Sequence, residues 1–413
     1  MVTLAPAGPR PLIADRISVR PLGPNWYATV MGTAIVATAG VALPIDVPGV
    51  RAACGAVWVL SALLLVALLV ARAGHWARHA DQARAHLLDP AVAPFYGCLA
   101  MALLAVGAGT LAVGRDLVGT GAAVAVAGAL WVVGTVVGLL AAAGIPYLLI
   151  TRHRVGPRDA SPVWLLPVVA PMVAAATGPA LASHLPAGQW RATLLLACYA
   201  QFGLSLLGTL VLLPAIVAGL LRYGPPALAL TPTLFLVLGP LGQSTTAVTH
   251  LADAAPGALR ADHASALTGF ALLYGVPVMG FALWWLVLAG ALVVRAARRG
   301  MPFAMTWWAF TFPVGTCVTG AAGLARHTEL AALRWLAVGL YAVLVAAWGV
   351  ALARTARGVV SGALLPPPTP AAALPAALPA SPAASPARAR FQDRPGPRPA
   401  APACPVAPVR GPR

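Results

Sequence analysis

The chain has 413 residues, of which 60% are hydrophobic and only 9% are charged, whereas an average soluble domain has about 25% charged residues. This composition excludes an ordinary soluble protein and predicts a polytopic membrane protein. The formal net charge is +17, and all 27 basic residues are arginines. These arginines are scattered through loops and the C-terminal tail and form no single basic face, so we expect no nucleic-acid binding.

Ten stretches of the chain contain the roughly 20 mainly apolar residues that a membrane-spanning helix needs. They are Trp26–Leu43, Ala52–Ala71, Phe95–Val113, Val118–Leu149, Pro162–Ser183, Ala192–Leu221, Ala227–Leu251, Ala266–Val294, Phe303–Ala325 and Leu333–Ala353. The sequence therefore predicts an all-α polytopic membrane protein in which residues 25–355 form a ten-helix transport domain. A leader precedes this domain at residues 1–24, and a tail rich in proline, alanine and arginine follows at residues 356–413.

The placement of arginines predicts the orientation. With ten spans, fifteen arginines fall on the side that holds both termini and six fall on the other side, before the six of the distal tail are counted. Because cytoplasmic loops carry the excess of basic residues, both termini are expected in the cytoplasm of a plasma (inner) membrane. The tail cannot bury enough apolar surface to fold and is expected to be disordered.

Acidic residues are absent from the middle of every predicted span. Since buried carboxylates mark proton relays and cation sites, their absence argues against a carboxylate-relay pump and against a cation transporter. No HExxH, P-loop or nucleotide fingerprint occurs, so we expect no catalytic residue, metal or cofactor. A membrane-embedded enzyme is the least favoured alternative. It would need the loop cluster that we interpret as a solvated linker, which consists of His75, His79, Asp81, His86 and Asp89.

The most unusual stretch is TPTLFLVLGPLGQS, residues 231–244, in the seventh span. Proline removes a backbone donor, and glycine lets another backbone come close. Backbone freed in this way is tolerated in a membrane only where it is buried in protein or lines a wet cavity. The stretch is therefore predicted to line a path through a helix bundle; the alternative is a kinked structural helix. The candidate residues are Thr231, Gly239, Pro240, Gly242, Gln243 and Ser244.

Hydroxyl side chains are concentrated in the odd-numbered spans, and Thr29, Thr33 and Thr311 are candidates for the same path. Hydroxyls and the positive ends of broken helices can solvate an anion without a fixed cation. The alternative is that each threonine bonds to its own helix or to a neighbour. His250 ends the seventh span and is either a titrating group near neutral pH or an interfacial histidine.

Four motifs resemble the tellurite-resistance/dicarboxylate transporter family, which includes malate permeases, sulfite efflux pumps and slow anion channels. NWYATVMGTAIVA at residues 25–37 resembles the first-helix signature, and PVWLLPVVAP at 162–171 fits the fifth helix. GPLGQS at 239–244 looks like the seventh-helix motif of the malate and sulfite branches, and WWAFTFP at 307–313 is similar to the ninth. The resemblance covers about residues 20–355. It departs at Thr33-Ala34, where the family commonly has Thr-Gly.

The resemblance implies five helical hairpins around a central pore, with odd helices inward and three protomers in a homo-trimer. It also implies a phenylalanine on the ninth helix that plugs the pore. By motif position this gate is Phe312, beside Pro313, and Phe310 is the nearest alternative. A bulky apolar ring at a constriction blocks ions by size and by dewetting. From the residues alone, packing beside the Pro313 kink is the simpler interpretation of Phe312.

The predicted function is a transmembrane anion channel or transporter in the lipid bilayer. Its partners are small inorganic or organic anions such as chloride, nitrate, sulfite or a C4-dicarboxylate (malate). The alternatives are a proton-coupled C4-dicarboxylate symporter and a tellurite-resistance or sulfite efflux carrier. No cofactor is implied.

Overall fold

A computed structural model of the chain describes residues 22–153 and 155–365, and within them the fold is all-α with no strand. Most of the predicted leader and the predicted tail beyond residue 365 lie outside the described residues. The predictions for those two segments therefore stay predictions.

Twelve α-helices lie within these ranges. They are α1 (Tyr27–Val41), α2 (Val50–Arg78), α3 (Ala80–Leu88), α4 (Tyr96–Gly109), α5 (Arg115–Val118), α6 (Thr120–Thr151), α7 (Leu165–Thr177), α8 (Gln189–Tyr223), α9 (Leu238–Ala254), α10 (Ala261–Arg298), α11 (Phe312–Thr328) and α12 (Ala331–Val360). Between some of them run 3-10 stretches at Pro24–Trp26, Ala93–Phe95, Pro162–Trp164, Gly178–His184, Leu228–Val237 and Met305–Phe310. A π-turn at Thr110–Gly114 joins α4 to α5.

Eight helical stretches in the described part of the chain are long and apolar enough to cross a membrane. They are Val50–Arg78, Ala93–Val118, Thr120–Thr151, Pro162–His184, Gln189–Tyr223, Ala261–Arg298, Met305–Thr328 and Ala331–Val360. These match eight of the ten predicted spans and confirm the multi-pass prediction. The other two predicted spans contain shorter helices, because α1 has 15 residues and α9 has 17.

The described segments fall into two classes by burial. We call residues 24–41, 93–118, 162–184, 228–254 and 305–328 the inner segments, and α2, α6, α8, α10 and α12 the outer helices. In the three inner segments that qualify as spans, 78 to 94% of the most apolar window is buried, against 17 to 22% in the outer helices. Nearly every residue of α1 and α9 is buried as well. Apolar side chains cover the exposed faces of the outer helices, as a surface in lipid requires.

The inner segments form a closed ring. Helix α1 packs against α4, α4 against α7, α7 against α9, α9 against α11, and α11 returns to α1. Each inner segment also packs against the outer helix that follows it along the chain. A close backbone approach in the ring lies at Gly242, where an added Cβ would be 2.5 Å from the backbone nitrogen of Cys317. Only a residue without a side chain allows this contact between α9 and α11.

Prolines account for part of the irregularity of the inner segments. Pro232 lies inside the 3-10 stretch Leu228–Val237, and Pro171 lies inside α7. Each proline removes a backbone donor and disturbs the preceding turn, so carbonyl groups are freed. Pro313 sits in the first turn of α11, where its missing N–H costs little.

Each outer helix donates at least one hydrogen bond into an inner segment. The indoles of Trp131 and Trp285 donate to the carbonyls of Ala174 in α7 (3.0 Å) and of Leu234 in the 3-10 stretch Leu228–Val237 (2.9 Å). Bonds from the other three outer helices include Ser205 Oγ to the Val168 carbonyl (2.6 Å), Trp58 Nε1 to Thr110 Oγ1 (3.2 Å) and Trp348 Nε1 to Thr33 Oγ1 (3.1 Å). Because lipid offers no partner to a freed polar group, these bonds stabilise the broken inner segments.

Candidate anion path

The five inner segments meet at an apolar constriction. A cavity of only ≈ 10 Å³ remains there, which is about the space that one water molecule needs. All five segments contribute to its lining, which consists of Met31, Met101, Leu165, Leu166, Val169, Leu236, Gly239, Phe312 and Pro313. The centre of the ring is therefore closed and dry at this level.

Phe312 lines the constriction from the first turn of α11, and only 3% of its surface is exposed. The residue before it, Thr311, donates its hydroxyl to the carbonyl of Trp308 (2.7 Å), and this bond fixes the start of the helix. Gly239 lines the same cavity, and an added Cβ there would meet no atom within 4 Å. The wall of the constriction therefore has free space at this glycine.

A wider vestibule of ≈ 400 Å³ lies toward the C-terminal ends of the same five segments. Its lining includes Thr38 of α1, Ala108 of α4, Thr177 of α7, His250 of α9 and Thr319 of α11. From Phe312 to Thr319 the rise along α11 is about 10 Å at 1.5 Å per residue. The constriction and the vestibule are therefore successive levels of one path through the ring.

Basic side chains surround the vestibule. Arg115 and His184 line it directly, and a side cavity of ≈ 380 Å³ with Arg191 and Arg326 shares His250 with it. Arg326 is paired with Asp253 at 3.3 Å. Among the described residues, the lining of the vestibule itself contains basic residues and no acidic one. A cleft lined by one sign of charge raises the local concentration of the opposite ion.

A model of the voltage-dependent anion channel family (SLAC1) matches residues 21–356. The chain belongs to the voltage-dependent anion channel family. It is an anion channel or transporter, and the resemblance drawn from the four motifs is confirmed.

Curated relatives cover most of the chain. An uncharacterized transporter of Methanocaldococcus jannaschii is 25% identical over 340 residues, which is 82% of this chain and 94% of the relative. A sulfite efflux pump of Arthroderma otae is 26% identical over 347 residues, covering 83% of this chain and 92% of the pump. A sulfite efflux pump of Trichophyton rubrum is 26% identical over 319 residues, covering 76% of this chain and 84% of the pump.

Most of the hydroxyl groups that were predicted to line the path form hydrogen bonds to other groups of the protein. Thr29 donates to the carbonyl of Trp26 (2.8 Å), Ser244 to Leu241 (3.0 Å) and Thr231 to Ala227 (3.3 Å). Thr33 accepts the bond from the outer helix α12. Other hydroxyl residues line the vestibule, namely Thr38, Thr120, Thr177, Ser183 and Thr319. Among them, Thr38, Thr177 and Thr319 also bond to backbone carbonyls of their own helices. Thr29, Ser244 and Thr231 thus bond to carbonyls three or four residues earlier in the chain, as the structural alternative expects.

The residues of the seventh-span motif, 239–244, lie in different surroundings. Gly239 lines the constriction and Gly242 allows the contact with α11. Pro240 is buried between them. The Gln243 side chain is 4% exposed, and its Oε1 has no hydrogen-bond partner among the described residues.

The two candidate gate residues lie in different places. Phe312 lines the constriction, whereas the ring of Phe310 packs edge-on against Phe235 at 4.8 Å and against Trp307 at 5.9 Å. The apolar lining residues Met31, Met101 and Leu236 were not among the sequence candidates, because no polar signal marks them.

His250 lies between the vestibule and the side cavity. Its Nδ1–H donates to the carbonyl of Ala176 at 2.7 Å. A carbonyl can only accept, so Nδ1 carries the proton and Nε2 is the nitrogen left to gain or lose one.

The loop cluster at residues 75–89 is solvated only in part, because Asp81 and Asp89 are exposed as the sequence predicted whereas one histidine is not. His75 is fully buried and its ring stacks on His86 at 5.6 Å, where α3 packs against the end of α2. Within the described ranges, no group of three or more His, Cys, Asp or Glu side chains converges as a metal site would require.

Proposed function

We propose that the protein is a channel for small anions, that the ring of inner segments encloses its pore, and that Phe312 is the gate. The observation that carries this proposal is the position of Phe312 in the narrow constriction to which all five inner segments contribute. The apolar lining blocks ions by size and by dewetting while the phenyl ring of Phe312 fills the constriction.

The proposed architecture has ten membrane crossings arranged as five hairpins, each made of an inner segment and the outer helix after it. With its preceding 3-10 turn, α1 is about 28 Å long, and residues 228–254 are about 45 Å long, from the usual rise per residue. The first length is close to a hydrocarbon core of about 30 Å, and the second is long enough to cross it with tilt or with ends outside it. Counting ten crossings and applying the arginine distribution puts both termini in the cytoplasm of the plasma (inner) membrane. We also propose a homo-trimer, as the family resemblance implies.

The proposed substrates are chloride, nitrate, sulfite and malate. The sulfite efflux pumps among the relatives make sulfite the first of these to test. Within the apolar constriction, a singly charged anion loses less hydration energy than a doubly charged one. We therefore expect nitrate, chloride and hydrogensulfite to pass faster than the malate dianion.

A proton-coupled carrier is the second candidate, and the position of His250 favours it. An imidazole is the side chain that changes charge most readily near neutral pH. Here it lies at the vestibule, between two cavities that hold arginines. Protonation of Nε2 would add a positive charge to the path, which could couple anion uptake to a proton.

The test is anion flux into proteoliposomes with the membrane potential clamped, with and without a proton gradient. A channel predicts flux that follows the electrochemical gradient of each anion and ignores the proton gradient. Uphill accumulation driven by protons would contradict the channel and favour the carrier, and His250→Gln would then abolish the coupling. Absence of flux of all four anions from correctly inserted protein would overturn both.

A further inference from the structure

A third cavity lies at the opposite end of the inner segments from the vestibule. It has a volume of ≈ 770 Å³, within the range of about 300–1,000 Å³ for small-molecule sites. Its walls come from the start of the segment 162–184, the C-terminal end of α8 and the first part of the segment 228–254. Among the described residues, neither α1 nor α11 contributes to it, whereas both line the constriction. The cavity therefore lies beside the pore and is not a level of it.

Two arginines without an acidic partner line this cavity. Arg158 and Arg222 form no ion pair with any described residue. Arg158 lies over the ring of Tyr223, with its guanidinium carbon 5.0 Å from the ring centroid, which holds the cation at the wall. The neighbouring Asp159 carboxylate is occupied, because it accepts the backbone N–H of Gly156 at 2.7 Å. Two arginines and one aspartate therefore line the cavity, which gives its described lining a net formal charge of +1.

The remaining wall is apolar and in part open to the cavity. Leu230 is 48% exposed and Tyr223 is 41% exposed. Phe95, Trp164 and Leu220 complete this surface. A bare inorganic anion would contact the arginines but leave the apolar wall uncovered. An anion with an apolar body would use both.

The same wall continues directly into the gate. Trp164 and Leu230 line the cavity. Trp164 is followed directly by Leu165 and Leu166, and the segment that carries Leu230 continues to Leu236. Leu165, Leu166 and Leu236 line the constriction. Both wall segments are 3-10 stretches that pass into the helices α7 and α9. A ligand that fills the cavity would therefore hold these two segments in their positions around Phe312.

We propose that this cavity is a regulatory site for an organic anion with an apolar body, and that its occupation keeps the pore closed. The anionic group lies between Arg158 and Arg222, and the apolar body lies against Trp164 and Leu230. Because the cavity exists in the closed conformation, a ligand that fits it stabilises that conformation by its differential affinity. The inhibitory effect rests on the proposed channel function, whereas the binding does not.

The test separates binding from flux. Naphthalene-2-sulfonate is added to the full-length protein in nanodiscs of zwitterionic lipid, and binding is measured by equilibrium dialysis. Naphthalene-2-methanol serves as the uncharged counterpart. We expect saturable binding of one sulfonate per chain, and Arg158→Ala with Arg222→Ala should weaken it at least about tenfold, since bonds to charged groups are the strong ones. The matched control is Arg295→Ala with Arg298→Ala, which removes two arginines from the end of α10 that do not line the cavity.

A second arm identifies the source of the ligand. If phosphatidylglycerol in the nanodisc displaces the sulfonate, the head group of an anionic lipid fills the site; if it does not, the ligand is a soluble organic anion. Equal binding of the uncharged compound, or no loss in the Arg158/Arg222 variant, overturns the site. Sulfonate that binds but leaves chloride flux unchanged overturns the inhibition and keeps the binding site. Absence of flux with intact binding counts against the channel alone.

Discussion

Replacement of Phe312 by alanine is expected to raise anion conductance by at least about tenfold. The constriction around Phe312 holds a cavity of ≈ 10 Å³, and loss of the phenyl ring adds the space of roughly three water molecules at about 30 Å³ each. A wetted constriction no longer strips the ion of all its water. A barrier lowered by only about 1.4 kcal/mol accounts for a tenfold rise in rate. Gly239, which lines the same cavity, offers no side chain to refill the space.

The assay is chloride and nitrate current through the reconstituted protein at a fixed voltage. Phe310→Ala is the matched control, because it removes the same ring two residues earlier, where the ring packs against Phe235 and not in the constriction. A core Phe→Ala change costs about 3–5 kcal/mol of stability, so both variants must be monodisperse and correctly inserted. Unchanged conductance in a folded Phe312→Ala protein, or an equal rise in Phe310→Ala, would refute the gate.

Three substitutions test the packing around the path, and a change of pH tests the packing of α3. Gly239→Val should lower the current of the Phe312→Ala variant without loss of thermal stability, because its side chain enters open space. Gly242→Val should prevent folding, seen as aggregation on size exclusion, because a Cβ there meets the backbone of α11. Trp285→Phe should destabilise the protein by about 1–3 kcal/mol in a denaturation series, since it leaves the Leu234 carbonyl without its indole donor. Burial, with the help of a nearby arginine, lowers the pKa of His86 below its value of about 6.5 in the unfolded chain. The folded state therefore loses stability at α3 as the pH falls below about 6.5, because the unfolded chain then binds a proton that the folded chain does not. Faster hydrogen exchange of the α3 amides at low pH should detect this loss.

Much of the fold could be predicted from the sequence because the membrane imposes a length and an apolar composition on every span. Eight predicted spans match long apolar helices, and the two that do not, around α1 and α9, are inner segments whose residues are mostly buried in protein. A segment surrounded by other helices need not be as long or as apolar as one that faces lipid. The odd and even spans differ in proline content for the same reason, since broken backbone needs protein partners such as the Trp285 indole.

The direction of individual side chains could not be predicted. The sequence marked Gly239 and Gly242 as equivalent sites of close approach, but only Gly242 touches another backbone. Thr33 and Thr38 lie on the same helix, yet the hydroxyl of Thr33 bonds an outer helix while Thr38 lines the vestibule. Each residue turns by about 100° around a helix, and the partner on each side is set by tertiary packing. A count of hydroxyls in the odd spans therefore indicates the path but not its lining.

The constriction was the feature least accessible to reasoning from the residues, because a binding site and a gate need opposite chemistry. A site that holds an anion needs hydrogen-bond donors, so threonine, glutamine and histidine were the residues predicted from the sequence. A gate that stops an anion needs an apolar surface, and Met31, Met101 and Leu236 look in the sequence like ordinary membrane residues. The position of Phe312 came only from the motif resemblance. If the Phe312→Ala current rises, the apolar level is the barrier and the threonines and arginines of the vestibule act before or after it; if it does not, the barrier lies elsewhere along the same ring.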